Sequence, residues 1–337
     1  MHRVSPLPAP VLAVVLTFLL VLATLPPSTQ AASPPDIELT PLKVSTHTYY
    51  FQGETGAASH ANRGFMSNAG FTVTRDGVVV YDALATPALG AAMLRAIRKV
   101  TKVPVKVVIV GHYHADHIYG LQALRGKGVT IAAHRNGRAY LASDAAKERL
   151  AQRRAELAPW VNEQTELVAA DRWLDFADGQ PWRFELGGLH FRVLDSSGAH
   201  SPEDLQLLVE EDKVLFAGDL FFSGRIPFVG NADSKRWLQA LDRMLDVQPA
   251  VVIPGHGPAS TNPRDDMLLT QRYLRYLREQ MGNAVQELLS FEEAYARTDW
   301  TPFKDYPAFA QANRLNAYGT YLLMEQESLE SSKEPSK

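Results

Sequence analysis

Apolar and polar positions along this chain form short β-branched runs, separated by turns and by stretches of helical period. Phe71-Thr-Val-Thr74 and Val78-Val-Val-Tyr81 flank Arg75-Asp76-Gly77, and Asp-Gly between two such runs signals a hairpin. Ala88 to Val100 has helical periodicity, and the apolar run Val105 to Val110 after it reads as a buried strand. Val129 to Ala133 reads as a further strand. Ala139 to Leu157, rich in Ala, Arg and Glu, reads as a helix whose charges form a solvated face. A second β-rich half contains Phe184 to Leu186, Leu189 to Leu194, Leu205 to Val209 and Val214 to Ala217. Ser234 to Leu245 is predicted as a helix capped by Ser234, and Val251 to Ile253 as a last buried strand. Beyond Pro263 the pattern turns helical, over Asp265 to Leu289 and Phe309 to Glu327, before a flexible polar tail at 331–337. Two β-rich halves with helices between them predict an α+β chain of two packed sheets with helices outside.

The strand ends carry the chemistry. Val105 to Val110 runs into His112-Tyr-His114-Ala-Asp116-His117, which puts four metal-competent side chains within six residues. Ligands delivered on the loop at a strand tip are all within reach of one site, and imidazole with carboxylate suits zinc and related first-row metals. His200, Asp219 and His256 each follow a later strand-like run. Gly218 and Gly255 stand directly before the last two, where a glycine lets the backbone turn sharply. Taken singly, each of the three has another role open to it, as a cap or a turn residue.

Composition narrows the picture. The chain has 337 residues, 46% of them hydrophobic, and a net charge of −3, so no basic excess points to nucleic acid. It contains no cysteine, which excludes disulfides, a thiolate ligand and a Cys nucleophile. His2 and Arg3 precede the uncharged apolar run Val11 to Leu25, then Pro26-Pro27 and the small residues around Ala31. That layout predicts a signal peptide over 1–31 and a periplasmic or secreted protein. The apolar run is shorter than the roughly 20 residues that span a bilayer, so membrane contact is expected only through an uncleaved signal sequence.

In order, His112, His114, Asp116, His117, His200, Asp219 and His256 resemble the metallo-β-lactamase fold superfamily, over roughly Leu42 to Ala259. Phe65-Met-Ser-Asn-Ala-Gly-Phe71, His112 to Gly120, Ala199-His-Ser-Pro-Glu-Asp204 and Gly224-Arg-Ile-Pro-Phe228 are similar to its exported SoxH-like subgroup, the quinoprotein relay system zinc metallohydrolases. The resemblance implies a four-layer αβ/βα sandwich over 32–262, with a helical C-terminal extension over 263–330. It also implies that His112, His114 and His200 hold one metal, that Asp116, His117 and His256 hold a second, and that Asp219 bridges them. The implied cofactors are two zinc ions, although such a donor set also accepts iron or manganese. The implied reaction is attack of a metal-bridging hydroxide on an ester, thioester, lactone or amide, with Asp116 orienting the nucleophile or shuttling its proton. Lactamases with a Cys ligand are excluded, and those without one generally lack the bridging Asp that Asp219 supplies. Tyr119, Arg225 and Asn231 are the candidate contacts to a small-molecule substrate, with packing or a scaffold salt bridge as their other readings. Three other functions stay open: a β-lactamase, a mononuclear iron oxygenase acting on persulfides, and a non-catalytic periplasmic metal-binding accessory protein.

Overall fold

The computed structural model describes residues 1–2 and 37–331, so the apolar run of the expected signal peptide and the tail from 332 onward lie outside the described residues. Seven strands form the first sheet in sequence order: β1 (Leu42–Lys43), β2 (Thr48–Phe51), β3 (Ala69–Val73), β4 (Val78–Tyr81), β5 (Val105–Ile109), β6 (Thr130–His134) and β7 (Arg172–Leu174). The pairs up to β4 are antiparallel, and those from β4 to β7 are parallel. The predicted hairpin closes with Val73 opposite Val78. The second sheet holds β8 (Trp182–Leu186), β9 (Leu189–Asp195), β10 (Leu205–Val209), β11 (Val214–Phe222) and β12 (Val251–His256), antiparallel except for the parallel β11–β12 pair.

Helices cover both outer faces. α1 (Pro87–Val100), α2 (Ala115–Ile118) and α3 (Leu121–Leu124) belong to the first half, with α4 (Gly137–Ala142) and α5 (Asp144–Leu157). α6 (Ser234–Asp246), α7 (Pro263–Asp266), α8 (Leu268–Gln286), α9 (Phe291–Arg297) and α10 (Phe309–Ser331) belong to the second. Strand alternation explains the layering, because successive side chains point to opposite faces. On β4, Val78 and Val80 join Leu89, Met93 and Ile97 of α1, whereas Val79 and Tyr81 join Phe191 and Val193 of β9 between the sheets. On β11, Val214 and Phe216 face that central layer, and Leu215 and Ala217 face Trp237, Leu241 and Leu274 of the outer helices. The four layers are therefore helix, sheet, sheet and helix, as expected. The C-terminal helices share one core with α6, whose buried Trp237, Ala240, Leu241 and Met244 follow helical spacing. No helix among the described residues is long and apolar enough to cross a membrane.

Four elements differ from their predicted form, and one of them, the helix expected over Asp265 to Leu289, is divided into α7 and α8 at Met267. The helix expected over Ala139 to Leu157 is two, because Ser143 leaves helical geometry and caps α5 by accepting from Ala146 N–H. α6 is capped by Asp233 rather than Ser234, its carboxylate accepting from the N–H groups of Lys235 and Arg236. β11 continues five residues past Ala217 to Phe222, because Gly218 takes a φ of +54° and the ladder to β12 shifts register around it. Asp219 thus lies inside a strand rather than at its tip.

Candidate metal centre

The site forms where the two sheets meet at one edge. Parallel pairing of β4 and β5 sets their C-terminal ends side by side. Asp82 follows β4 and holds the next loop: its Oδ1 accepts from Gly111 N–H at 2.7 Å, and its Oδ2 accepts from His117 Nδ1 at 2.8 Å. That bond orients the ring with Nε2 inward. Burial lowers His117, but the Asp219, Asp116 and Asp82 carboxylates outweigh it and raise it well above the ordinary histidine range, so Nε2 carries a proton that a bound cation would displace. His112 lies in the loop, His114 precedes α2, and Asp116 and His117 lie on α2. From the second sheet come His200 in the β9–β10 connection, Asp219 on β11 and His256 at the end of β12. The sheets are tied across this edge by Leu205 N–H to Gly111 O at 2.8 Å and Asn68 N–H to Gly255 O at 2.7 Å. Asn68 also donates to Pro254 O and Gly257 O, both at 2.8 Å. His256 Nδ1 donates to Met66 O at 2.8 Å, and its ring stacks on Phe222 at 4.9 Å. Trp237 stands edge-on to His200, also at 4.9 Å. Gly255 is required here, since a Cβ would fall 2.0 Å from Asp219 Oδ1.

All seven predicted donors come together, in two groups whose ligand atoms lie within 4.8 Å of one another: His112, His114, His200 and Asp219, and Asp116, His117 and His256. Asp219 faces both groups. Its Oδ2 lies 3.4 Å from His200 Nε2 and 3.8 Å from His112 Nε2, while its Oδ1 lies 3.1 Å from His117 Nε2 and 3.3 Å from His256 Nε2. Asp116 Oδ2 lies 3.3 Å from His256 Nε2 and 3.5 Å from His117 Nε2. Burial pushes His112 well below the ordinary histidine range and His200 down to about 3, so both rings are neutral, the form that binds metal. Burial also pushes the Asp116 and Asp219 carboxyls up, but the neighbouring His117 and His256 outweigh it and keep both ionised. The Nε2 atoms of His112, His117 and His256 and Asp219 Oδ1 are buried without a hydrogen-bond partner. Orphaned buried donors and acceptors are costly, and these converge from a His and Asp set. The residues therefore fit divalent cations.

A cavity of 840 Å³ opens onto both groups and is lined by His114, Asp116, Asp219 and His256. Of the candidate substrate contacts, Asn231 lies on its wall. Tyr119 is 0% exposed and packs in the core of the first half. Arg225 is 2% exposed, donating from Nη1 to Gly56 O at 3.1 Å, with its guanidinium 5.2 Å from the Phe228 ring and 5.9 Å from the Phe222 ring. His134 belongs to neither donor group; it stacks on Phe176 at 5.7 Å. Sequence reasoning missed Asp82, Trp237 and the Met66 carbonyl as supports of the ligand rings. Only Asp82 left a signal, a carboxylate directly after a buried β-branched run.

Glu203 gives the site a pH signature. It is buried, accepts from Tyr113 N–H at 3.2 Å, and burial raises its carboxyl from 4.5 to about 7. The folded protein thus binds more protons than the unfolded chain between those two values, so this contribution to stability is complete below pH 4.5 and lost as pH rises through 7. Glu203→Gln should leave the urea midpoint at pH 5 nearly unchanged and raise stability at pH 8 by about 3 kcal/mol, at roughly 1.4 kcal/mol per pKa unit. An equal difference at both pH values would remove Glu203 as the cause.

Comparison with known proteins gives a consistent outcome. The family model of the Metallo-beta-lactamase superfamily matches residues 62–256. Metallo-beta-lactamase IND-1 of Chryseobacterium indologenes is 22% identical over 221 residues, 64% of this chain and 80% of that protein. Among solved structures, the stereoselective inverting sec-alkylsulfatase Pisa1 from Pseudomonas sp. aligns with a TM-score of 0.64 at 16% identity, covering 89% of this chain. The chain spans about half of the sulfatase, 52% of its length. A metallo-beta-lactamase from Pontibacter korlensis aligns with a TM-score of 0.55 at 21% identity, over 71% of this chain and 99% of that one. At these identities the likeness to the solved structures is one of fold.

Proposed function

The chain belongs to the metallo-β-lactamase superfamily, and from that premise we propose that it is a dinuclear metal-dependent hydrolase of an ester, thioester, lactone or amide. The observation that carries this reading is Asp219, a single buried carboxylate with one oxygen turned to His112 and His200 and the other to His117 and His256. His112, His114 and His200 would hold one cation, Asp116, His117 and His256 the other, and Asp219 both; zinc suits this set. When bound, the cations supply a hydroxide at neutral pH and a Lewis acid for the oxygen of the scissile group.

The chain's own residues do the rest. Asp82 and the Met66 carbonyl aim the His117 and His256 rings by engaging their outer nitrogens. The Asp116 side chain is 15% exposed against 4% for Asp219, so Asp116 is the carboxylate placed to hold and pass a proton at the cavity. Met66 and Phe228 give the cavity an apolar wall for the substrate to pack against.

A substrate panel tests the assignment. Asp219 faces both donor groups, which sets the site apart from lactamases without a Cys ligand, and among the described residues the cavity is lined by no lysine, its arginines being Arg149 and Arg153. Thioester or lactone hydrolysis is expected to exceed β-lactam hydrolysis in kcat/KM by at least roughly tenfold, about 1.4 kcal/mol of differential transition-state binding. Turnover of a penicillin or carbapenem above that of every ester, thioester and lactone would move the β-lactamase reading to first place. The same proposal includes export, on the strength of the layout around Val11 to Ala31. N-terminal sequencing of the mature protein should start close to Ala32, and a full-length cytoplasmic protein would contradict this.

A further inference from the structure

The α5 charges read from sequence as a solvated face do not all point to open solvent. Arg149 and Arg153 stand at i and i+4 on α5 and both line the cavity above the donor groups. Like charges at that spacing repel, so the pairing costs some helix stability unless an anion answers it. Arg153 has a carboxylate partner, Glu156, at 2.8 Å. Arg149 does not: its hydrogen bond goes to the neutral amide oxygen of Gln152 at 2.9 Å, and it forms no ion pair among the described residues. Its side chain is exposed at the cavity. Burial raises the Tyr140 hydroxyl on the cavity wall, and the Arg149 cation opposes that rise.

The other acids at the cavity are already engaged. Asp116 and Asp219 face the ligand histidines, and Asp233 accepts from the first N–H groups of α6 and pairs with Arg236 at 3.5 Å. The same cavity also carries apolar side chains. Leu315 of α10 lines it while 67% exposed, together with Met66 and Phe228. An exposed leucine at a cavity mouth gains burial only when an apolar group enters.

We propose that Arg149 and Arg153 receive an anionic group of the substrate at the mouth, with its apolar part against Leu315, Phe228 and Met66, so that the substrate class is an amphiphilic anion whose charge lies away from the scissile bond. This rests on the hydrolase reading for the bond cleaved, but its test reads binding as well as turnover. The probe is octane-1-sulfonate, an anion with an apolar chain and a weak metal ligand, titrated calorimetrically into the metal-loaded protein beside octan-1-ol. The wild type should favour the sulfonate by at least about tenfold, the scale of one charge-assisted hydrogen bond. R149Q/R153Q should lower that ratio by about tenfold, and R149K/R153K, which keeps both charges, should retain most of it. Raising salt should shrink the wild-type ratio, because the arginines are solvent-accessible. A ratio near one in the wild type, or an unchanged ratio in R149Q/R153Q, would overturn the proposal. The kinetic arm compares 4-nitrophenyl hemiadipate with 4-nitrophenyl hexanoate, and R149Q/R153Q should lower the ratio of their kcat/KM values. Intact sulfonate preference with no turnover of any ester, thioester or lactone would sink the hydrolase reading alone; turnover without that preference would sink the arginine assignment alone.

Discussion

Asp219→Ala is expected to lower the metal content of the purified protein from about two ions per chain to about one or fewer, and kcat/KM by about 10³-fold, since metal-ion catalysis is worth several kcal/mol. The carboxylate is buried at the junction of the donor groups, 3.1 Å from His117 Nε2 on one side and 3.4 Å from His200 Nε2 on the other. Alanine leaves each group with three donors and removes the one charge common to both. Metal content and rate should therefore fall together. A variant that keeps two ions and a rate within threefold of wild type would show that Asp219 is scaffold.

Asp116→Asn separates chemistry from folding. The amide keeps the size of the side chain and leaves the bond from Ser67 Oγ to Asp116 O, at 2.5 Å, in place. It removes the charge and the proton acceptor that His117 and His256 keep ionised. The expected result is a fall in kcat of about 10² or more, the scale of a lost general base, with the urea midpoint close to wild type. Full rate at full metal content would reduce Asp116 to a ligand without a proton role.

The motif from His112 to His117 was legible because four donors crowd six residues behind a β-branched run, a local pattern. His200, Asp219 and His256 were legible only through their order along the chain and the resemblance it supports. What holds them was not legible. Asp82 reaches His117 because β4 and β5 pair in parallel, and no local pattern encodes which strand tips become neighbours. Trp237 reaches His200 because α6 packs on the outer face of the second sheet. The short β1, β2 and β7 escape a reading of the sequence, since two to four residues give too little alternation to recognise. The boundary errors have local causes. Ser143 bonds its own following turn and so divides one helix into two, and the left-handed Gly218 carries β11 past the end of the Val214 to Ala217 run. The role of Arg149 was hidden because periodicity shows which face of α5 is polar, not that a cavity opens beside it.

The most direct test is a zinc titration of chelator-treated wild-type protein, with bound metal and hydrolytic rate followed on the same samples. Saturation is expected at about two ions per chain, with the rate still rising during the second equivalent. Saturation at a single tightly bound ion, with no gain in rate from added zinc, would contradict the dinuclear centre and favour the mononuclear iron oxygenase.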